Sequence, residues 1–95
     1  MLHTLSRSPY HSDIDALLRC LGPDDAVVLL QDGVIAALAD TDMANRLLNA
    51  SVLLYVLKND ADARGLTAQI SDNIPLIDYN QFVQLTVQYP KQLAW

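Results

Sequence analysis

Cys20 is the only cysteine in the sequence and its only soft nucleophile. A thiol there could accept and pass on sulfur, or it could be a small side chain packed beside Leu17 and Leu21. At 100° per residue it falls about 120° from the centre of the stripe formed by Ile14, Leu17, Leu18 and Leu21, which places it on the flank of a helix, within reach of solvent or a partner. Its last-turn position is the negative end of the helix dipole, which disfavours a thiolate, and Arg19 points elsewhere on the helix. His3 and His11 are the only histidines and lie far from other ligand types, and a lone cysteine can make neither a Cys-x-x-Cys pair nor an internal disulfide. No metal site is therefore expected. His3 reads as a hydrogen-bonded structural histidine near a sheet, His11 as exposed ahead of a helix. No spacing supports a triad of Cys20, His3 and an aspartate.

Gln31-Asp32-Gly33 leaves the carboxyl end of an apolar run, where open α/β sheets place their ligands. Its single glycine falls short of the glycine-rich build of a dinucleotide or phosphate loop. A helix cap by Asp32 and a tight turn at Gly33 account for it without a ligand; the alternative is a pocket for a small anion or nucleotide. No cofactor is expected. Asp62, Arg64 and Gly65 read as a surface ion pair and a helix cap.

The elements that must position these residues alternate between strand and helix. Residues 1–5 read as a short strand closed by the turn at Ser6 to Pro9. Ser12 with Asp15 fits a capping box, opening a helix that Gly22-Pro23 stops, with Gly22 as a left-handed cap. Residues 26–30 and 52–57 are apolar runs without alternation, the habit of strands buried on both faces in a parallel sheet. Residues 34–39 read as a short helix capped by Asp32, and Thr41 or Asp42 opens another that ends near Asn49. Asn59 or Asp60 caps a helix ended by Gly65, and residues 74–77 form a third apolar strand with Pro75 near a sheet edge. Asp78 with Gln81 is a second capping box, for a helix over residues 79–89. The pattern predicts an α/β domain over residues 1–95 with a small, mostly parallel sheet.

That last helix carries Tyr79, Phe82, Val83 and Thr86 on one face, and Leu85 and Val87 widen the arc. No charged residue lies between Asp78 and Lys91. A solvent-facing helix usually carries charges, while this one offers only Asn80, Gln81, Gln84 and Gln88. The closing Leu93-Ala94-Trp95 is expected to be tied down, either as a short strand or against another chain. Tyr79, Phe82, Leu85, Val87, Tyr89 and Trp95 are thus the interface candidates.

Composition sets the limits. The chain has 95 residues, 52% hydrophobic and 18% charged, against about 25% charged in an average soluble domain. One compact core is expected, and disorder is excluded. The net charge of −5, with no basic run, argues against direct binding to nucleic acid. The apolar stretches are far short of the about 18 residues of a membrane span, and residues 1–10 lack a signal peptide's apolar region, so a cytoplasmic protein is expected. What stands out is an apolar surplus with few charges to cover it.

Met1-Leu2-His3-Thr4-Leu5 with Ser8-Pro9, Leu29-Leu30-Gln31-Asp32-Gly33-Val34, Ala63-Arg64-Gly65-Leu66-Thr67, Ile77-Asp78-Tyr79 with Phe82-Val83-Gln84-Leu85-Thr86, and the final Ala94-Trp95 together resemble the TusB/DsrH family. The resemblance runs from the first residue to the last, and the order of these weak motifs makes the combination specific. It implies a flavodoxin-like, DsrEFH-like domain with four to five strands, in a heterohexamer with the sister chains TusC and TusD that relays persulfide sulfur toward 2-thiolation of the tRNA wobble uridine. In that family the transferable sulfur rides on a cysteine of TusD, and no position here matches that site. The implied role is structural: completing the hexamer and helping to form the surface on which the carrier TusE docks, with TusA upstream and tRNA reached only indirectly. DsrH members of sulfur-oxidising systems can carry a cysteine in the first helix, where Cys20 stands, so the alternative implied is a DsrH-type subunit with Cys20 as sulfur carrier.

Overall fold

The computed structural model describes residues 1–95. Five strands form its centre: β1 (Leu2–Leu5), β2 (Ala26–Leu29), β3 (Leu53–Leu57), β4 (Leu76–Ile77) and β5 (Gln92–Ala94). Their order is β4-β3-β2-β1-β5, and every pairing is parallel. The helices are α1 (Ile14–Cys20), α2 (Asp42–Leu48), α3 (Lys58–Ala63) and α4 (Tyr79–Gln88).

Topology decides which face each helix covers. The first three crossovers step the same way across the sheet, and right-handed connections then put α1, α2 and α3 on one face; the fourth runs back from β4 to β5, so α4 falls on the other. The two cores divide accordingly. The larger joins Leu5, Val27, Leu29, Leu54 and Val56 to Ile14 and Leu17 of α1, Leu47 of α2 and Ala61 of α3. The smaller joins Leu2, Ala26, Val28 and Ile77, with Phe82, Leu85 and Tyr89 packed against it from the α4 side. β2, in the middle, is buried at all four residues, as its unbroken apolar run implies. β3 departs from the two-sided burial expected of it: Leu53 is 55% exposed, because β4 pairs only with Val56 and Leu57 and leaves the first half of β3 as an open edge.

Several expected caps move. The side chain that caps α1 is Asp13, which accepts from the Ala16 N–H at 2.9 Å, while the Ser12 hydroxyl donates to the Ser8 carbonyl that closes the Pro9–His11 turn. Gly22 is not left-handed; α1 stops because Leu21 is extended, and the Gly22 N–H goes to Asp25. Residues 34–39 do not form a helix capped by Asp32. A 3-10 helix spans Gln31–Ala37 from an N-cap at Leu30 with no side-chain bond. Its tighter winding buries Gly33, Val34, Ala36 and Ala37 together against β1 and β3. α3 follows β3 directly and is not capped by Asn59 or Asp60, because the Asp60 carboxylate is taken by the Gln31 N–H. Thr41 caps α2, and Gly65 ends the α3 region at φ 67°. β4 shrinks to two residues: Ile74 is drawn into a turn on Ser71, and Pro75 flanks the strand at the sheet edge, its carbonyl accepting the Val56 N–H. The Asp78 and Gln81 capping box of α4 forms in both directions.

Candidate functional site

The carboxyl end of β2 is filled rather than open. Gly33 lies against β1 so closely that a Cβ there would stand 2.8 Å from the Leu5 carbonyl carbon. The Gln31 N–H donates to Asp60, and Asp32, expected to cap a helix, instead accepts from Arg64 Nε at 3.0 Å. Gln31 itself sits at φ 50°, a left-handed conformation held by that Asp60 bond. None of the three cavities in the molecule is lined by Gln31, Asp32 or Gly33. The residues most suggestive of a ligand loop are thus engaged by the chain's own Asp60 and Arg64, and they join β2 to the α3 region.

Cys20 is exposed at the end of α1. Because α1 runs antiparallel to the strands, its last turn faces the amino ends of the sheet, opposite the loops of the carboxyl ends. His11 is exposed, and no group of three or more His, Cys or acidic side chains stands close enough to hold a metal ion.

The buried polar chemistry centres instead on Asp25, which the sequence reading did not single out. Its Oδ2 accepts from the Gly22 N–H at 2.9 Å and meets His3 Nε2 at 2.9 Å; its Oδ1 takes the Met1 ammonium at 2.9 Å. The Gly22 amide above all, then the Met1 ammonium and His3, hold the Asp25 carboxyl well below the usual carboxylate range despite its burial. On the far side of the imidazole, Trp95 Nε1–H donates to His3 Nδ1 at 3.1 Å. The two rings lie at 29° with centroids 6.3 Å apart, an edge-to-edge arrangement suited to that in-plane bond. His3 is therefore the structural histidine its strand position suggests, and Trp95 is tied down as expected, one residue beyond β5. The only sequence hint of Asp25 is its place just before an apolar strand. Its partners are revealed by the β1 and β2 register.

The remaining candidates lie on α4. Phe82, Leu85 and Tyr89 are half-buried against the sheet, while Tyr79, Val83 and Val87 form an outward stripe at 60%, 45% and 80% exposure. A shallow cavity of about 190 Å³ lies between α4 and β3, lined by Tyr55, Ile77, Leu85 and the amides of Gln81, Gln84 and Gln88.

A five-stranded parallel sheet with three helices on one face and a single uncharged helix on the other defines a small α/β protein with one thinly covered side. The family described as DsrH like protein matches residues 7–92, and the chain belongs to that family. Over its full 95 residues it is 66% identical to Protein TusB of Pectobacterium parmentieri and 54% identical to Protein TusB of Yersinia pestis strain Pestoides F, all of each protein being covered. Among solved structures, Protein Tm0979 from Thermotoga maritima superposes with a TM-score of 0.69 at 29% identity over 96% of this chain and 97% of that one. The ychN protein from E. coli shares the fold, with a TM-score of 0.76 at 22% identity over 99% and 97% of the two chains. The TusB/DsrH resemblance is thereby borne out, as is the α/β fold with a parallel sheet. No helix is long and apolar enough to cross a membrane.

Proposed function

We propose that the chain is the TusB-type subunit of a cytoplasmic sulfur-relay complex, assembled with TusC and TusD as a heterohexamer. That complex takes persulfide sulfur arriving from TusA, hands it to TusE, and serves 2-thiolation of the tRNA wobble uridine. The observation that carries this reading is full-length identity of 64–66% to Pectobacterium proteins named TusB. The chain's own contribution is binding surface rather than chemistry. Tyr79, Val83 and Val87 recur every four residues on α4 with no charge among them, the composition of an interface centre. The acidic balance keeps tRNA at a distance, so the client is served through proteins.

Co-expression with its neighbouring genes tests the assignment: TusC and TusD should co-purify with the chain, and recovery of a stable monomer with no related partner rejects it. Exposure of Cys20 favours one other reading, a DsrH-type sulfur carrier. Under the structural reading Cys20→Ser keeps tRNA thiolation intact. A mass gain of one sulfur on Cys20 after incubation with a cysteine desulfurase and a carrier protein would replace it with the carrier reading.

A further inference from the structure

The hydrogen bonds around His3 admit one arrangement of protons. An indole N–H can only donate, so His3 Nδ1, 3.1 Å from Trp95 Nε1, presents its lone pair. The ring proton then sits on Nε2 and is donated to Asp25 Oδ2. The ring is 1% exposed, and a half-turn about its own axis would set carbon against both partners. A second proton can enter only at Nδ1, where it meets the indole N–H head on. The opposite edge responds in the other sense, since a cationic ring donates to a carboxylate more strongly than a neutral one.

The charged groups facing His3 are few. Asp25 receives its Nε2–H, and the Met1 ammonium bonds the other oxygen of the same carboxylate. α1, on the same face of the sheet, turns Ile14 and Leu17 inward and keeps Asp15, Arg19 and Cys20 at the surface. Val27 of β2 and Leu93 of β5 flank His3 in register, and Lys91 is exposed.

We propose that His3 is a proton-controlled latch on the end of the sheet: the neutral ring holds the Trp95 indole, and the protonated ring releases it while keeping Asp25. This stands independently of the sulfur-relay reading. With the indole gone, residue 95 is held by its backbone alone, through its N–H to the Thr4 carbonyl at 2.8 Å and through longer contacts from Ser6 to its own carbonyl. The strand so loosened, β5, is a sheet edge exposed at all three residues, so the latch governs how firmly the chain's last residues are held on that edge.

The full chain can be followed by NMR and fluorescence in one titration from about pH 8 to about pH 5, across the range where histidines change charge. The His3 Cε1–H shift reports protonation. Solvent exchange of the Trp95 indole proton and the emission of this sole tryptophan report the latch. At high pH His3 should be the Nε2–H tautomer with the indole protected. As His3 protonates, the indole should lose protection and its emission shift red with the same midpoint. His3→Asn, whose Oδ1 can accept from the indole without titrating, should abolish the pH dependence, and His11→Gln should leave it unchanged. If His3→Asn fails to fold, coincidence of the wild-type signals decides alone. An Nδ1–H tautomer at high pH, an indole still protected once His3 is protonated, a red shift persisting in His3→Asn, or a His3 still neutral when the chain unfolds would each overturn the latch.

Discussion

Replacing Gly33 by alanine should be among the costliest conservative changes in this chain. A Cβ at that position would stand 2.8 Å from the carbonyl carbon of Leu5, nearer still to its oxygen, and 3.2 Å from Leu5 Cγ. Ordinary non-bonded contacts begin at about 3.5 Å, and the carbonyl oxygen is the closest of the three atoms, so the two backbones must part by more than about an ångström. Neither can retreat freely. The Leu5 carbonyl accepts the Leu30 N–H at 3.0 Å, and the Leu5 side chain is fully buried in the larger core. Overpacking of this kind costs about 1–3 kcal/mol, and weakening a buried backbone hydrogen bond adds about 1 kcal/mol. The sum, about 3 kcal/mol, is a large share of the roughly 5–15 kcal/mol that holds a domain folded. In urea, with a slope of about 1.5 kcal/mol per molar, the midpoint should fall by about 2 M at unchanged slope. The other two glycines calibrate the measurement. Gly65→Ala meets open space but must hold φ 67°, a strain of about 1 kcal/mol. Gly22→Ala meets only the Asp25 carboxylate at ordinary distances of 3.6–3.7 Å and should be neutral, or stabilising by up to about 1 kcal/mol. A Gly33→Ala midpoint equal to wild type, or a cost no larger than that of Gly65→Ala, would refute the close approach of the two backbones.

Three further outcomes are expected. Leu17→Ala removes a fully buried side chain where α1 meets the sheet and should cost about 2–5 kcal/mol in thermal or urea unfolding. Asp25→Asn should cost about 1–3 kcal/mol at pH 7 by weakening the bonds from Gly22, Met1 and His3. Because the folded carboxyl is held below its unfolded value of about 3.9, its contribution is complete above that pH and fades as the pH falls further. The gap between Asp25→Asn and wild type should therefore be wide at about pH 7 and narrow below about pH 3, and a gap that widens with acid would contradict the assignment. Val87→Lys alters the most exposed residue of the α4 stripe, so it should leave the stability measured in urea within about 0.5 kcal/mol of wild type while abolishing co-purification of sister chains. Unimpaired co-purification of a Val83→Asp, Val87→Lys double variant would remove α4 from the interface.

What the sequence makes legible depends on how far apart the interacting atoms lie along the chain. The Asp78 and Gln81 capping box is complete within four residues, and both of its bonds form, at 2.7 and 2.8 Å. Gly65 ends its helix for an equally local reason. Asp32 looks like a cap by the same local rule, but its partner is Arg64, across the β2 to α3 junction, and no pattern around residue 32 contains that information. Ser12 reads as the cap of α1 by the same local rule, but the Pro9–His11 turn engages its hydroxyl and the cap falls to Asp13. Gly33 reads as a turn residue, yet what requires glycine there is a carbonyl of the neighbouring strand. The His3 site follows the same rule: its strand position suggests a structural histidine, but identifying Asp25 and Trp95 as its partners needs the order β2-β1-β5.

The same strand order explains the surplus of apolar residues. Three crossovers in one direction spend α1, α2 and α3 on one face, leaving a single ten-residue helix for the other. α4 turns Phe82, Leu85 and Tyr89 inward, but it cannot span a five-stranded sheet, and the short β4 leaves half of β3 without a neighbour. Leu53 on the bare edge and Tyr79, Val83 and Val87 on the outer side of α4 therefore stay exposed. Charges at those positions would be usual on a solvent-facing helix; their absence from Tyr79 to Pro90 is what the proposed burial of this side against a sister subunit would account for. The face that the topology leaves thin is thus the face the proposed subunit role assigns to a sister chain, and the α4 variants above test that assignment.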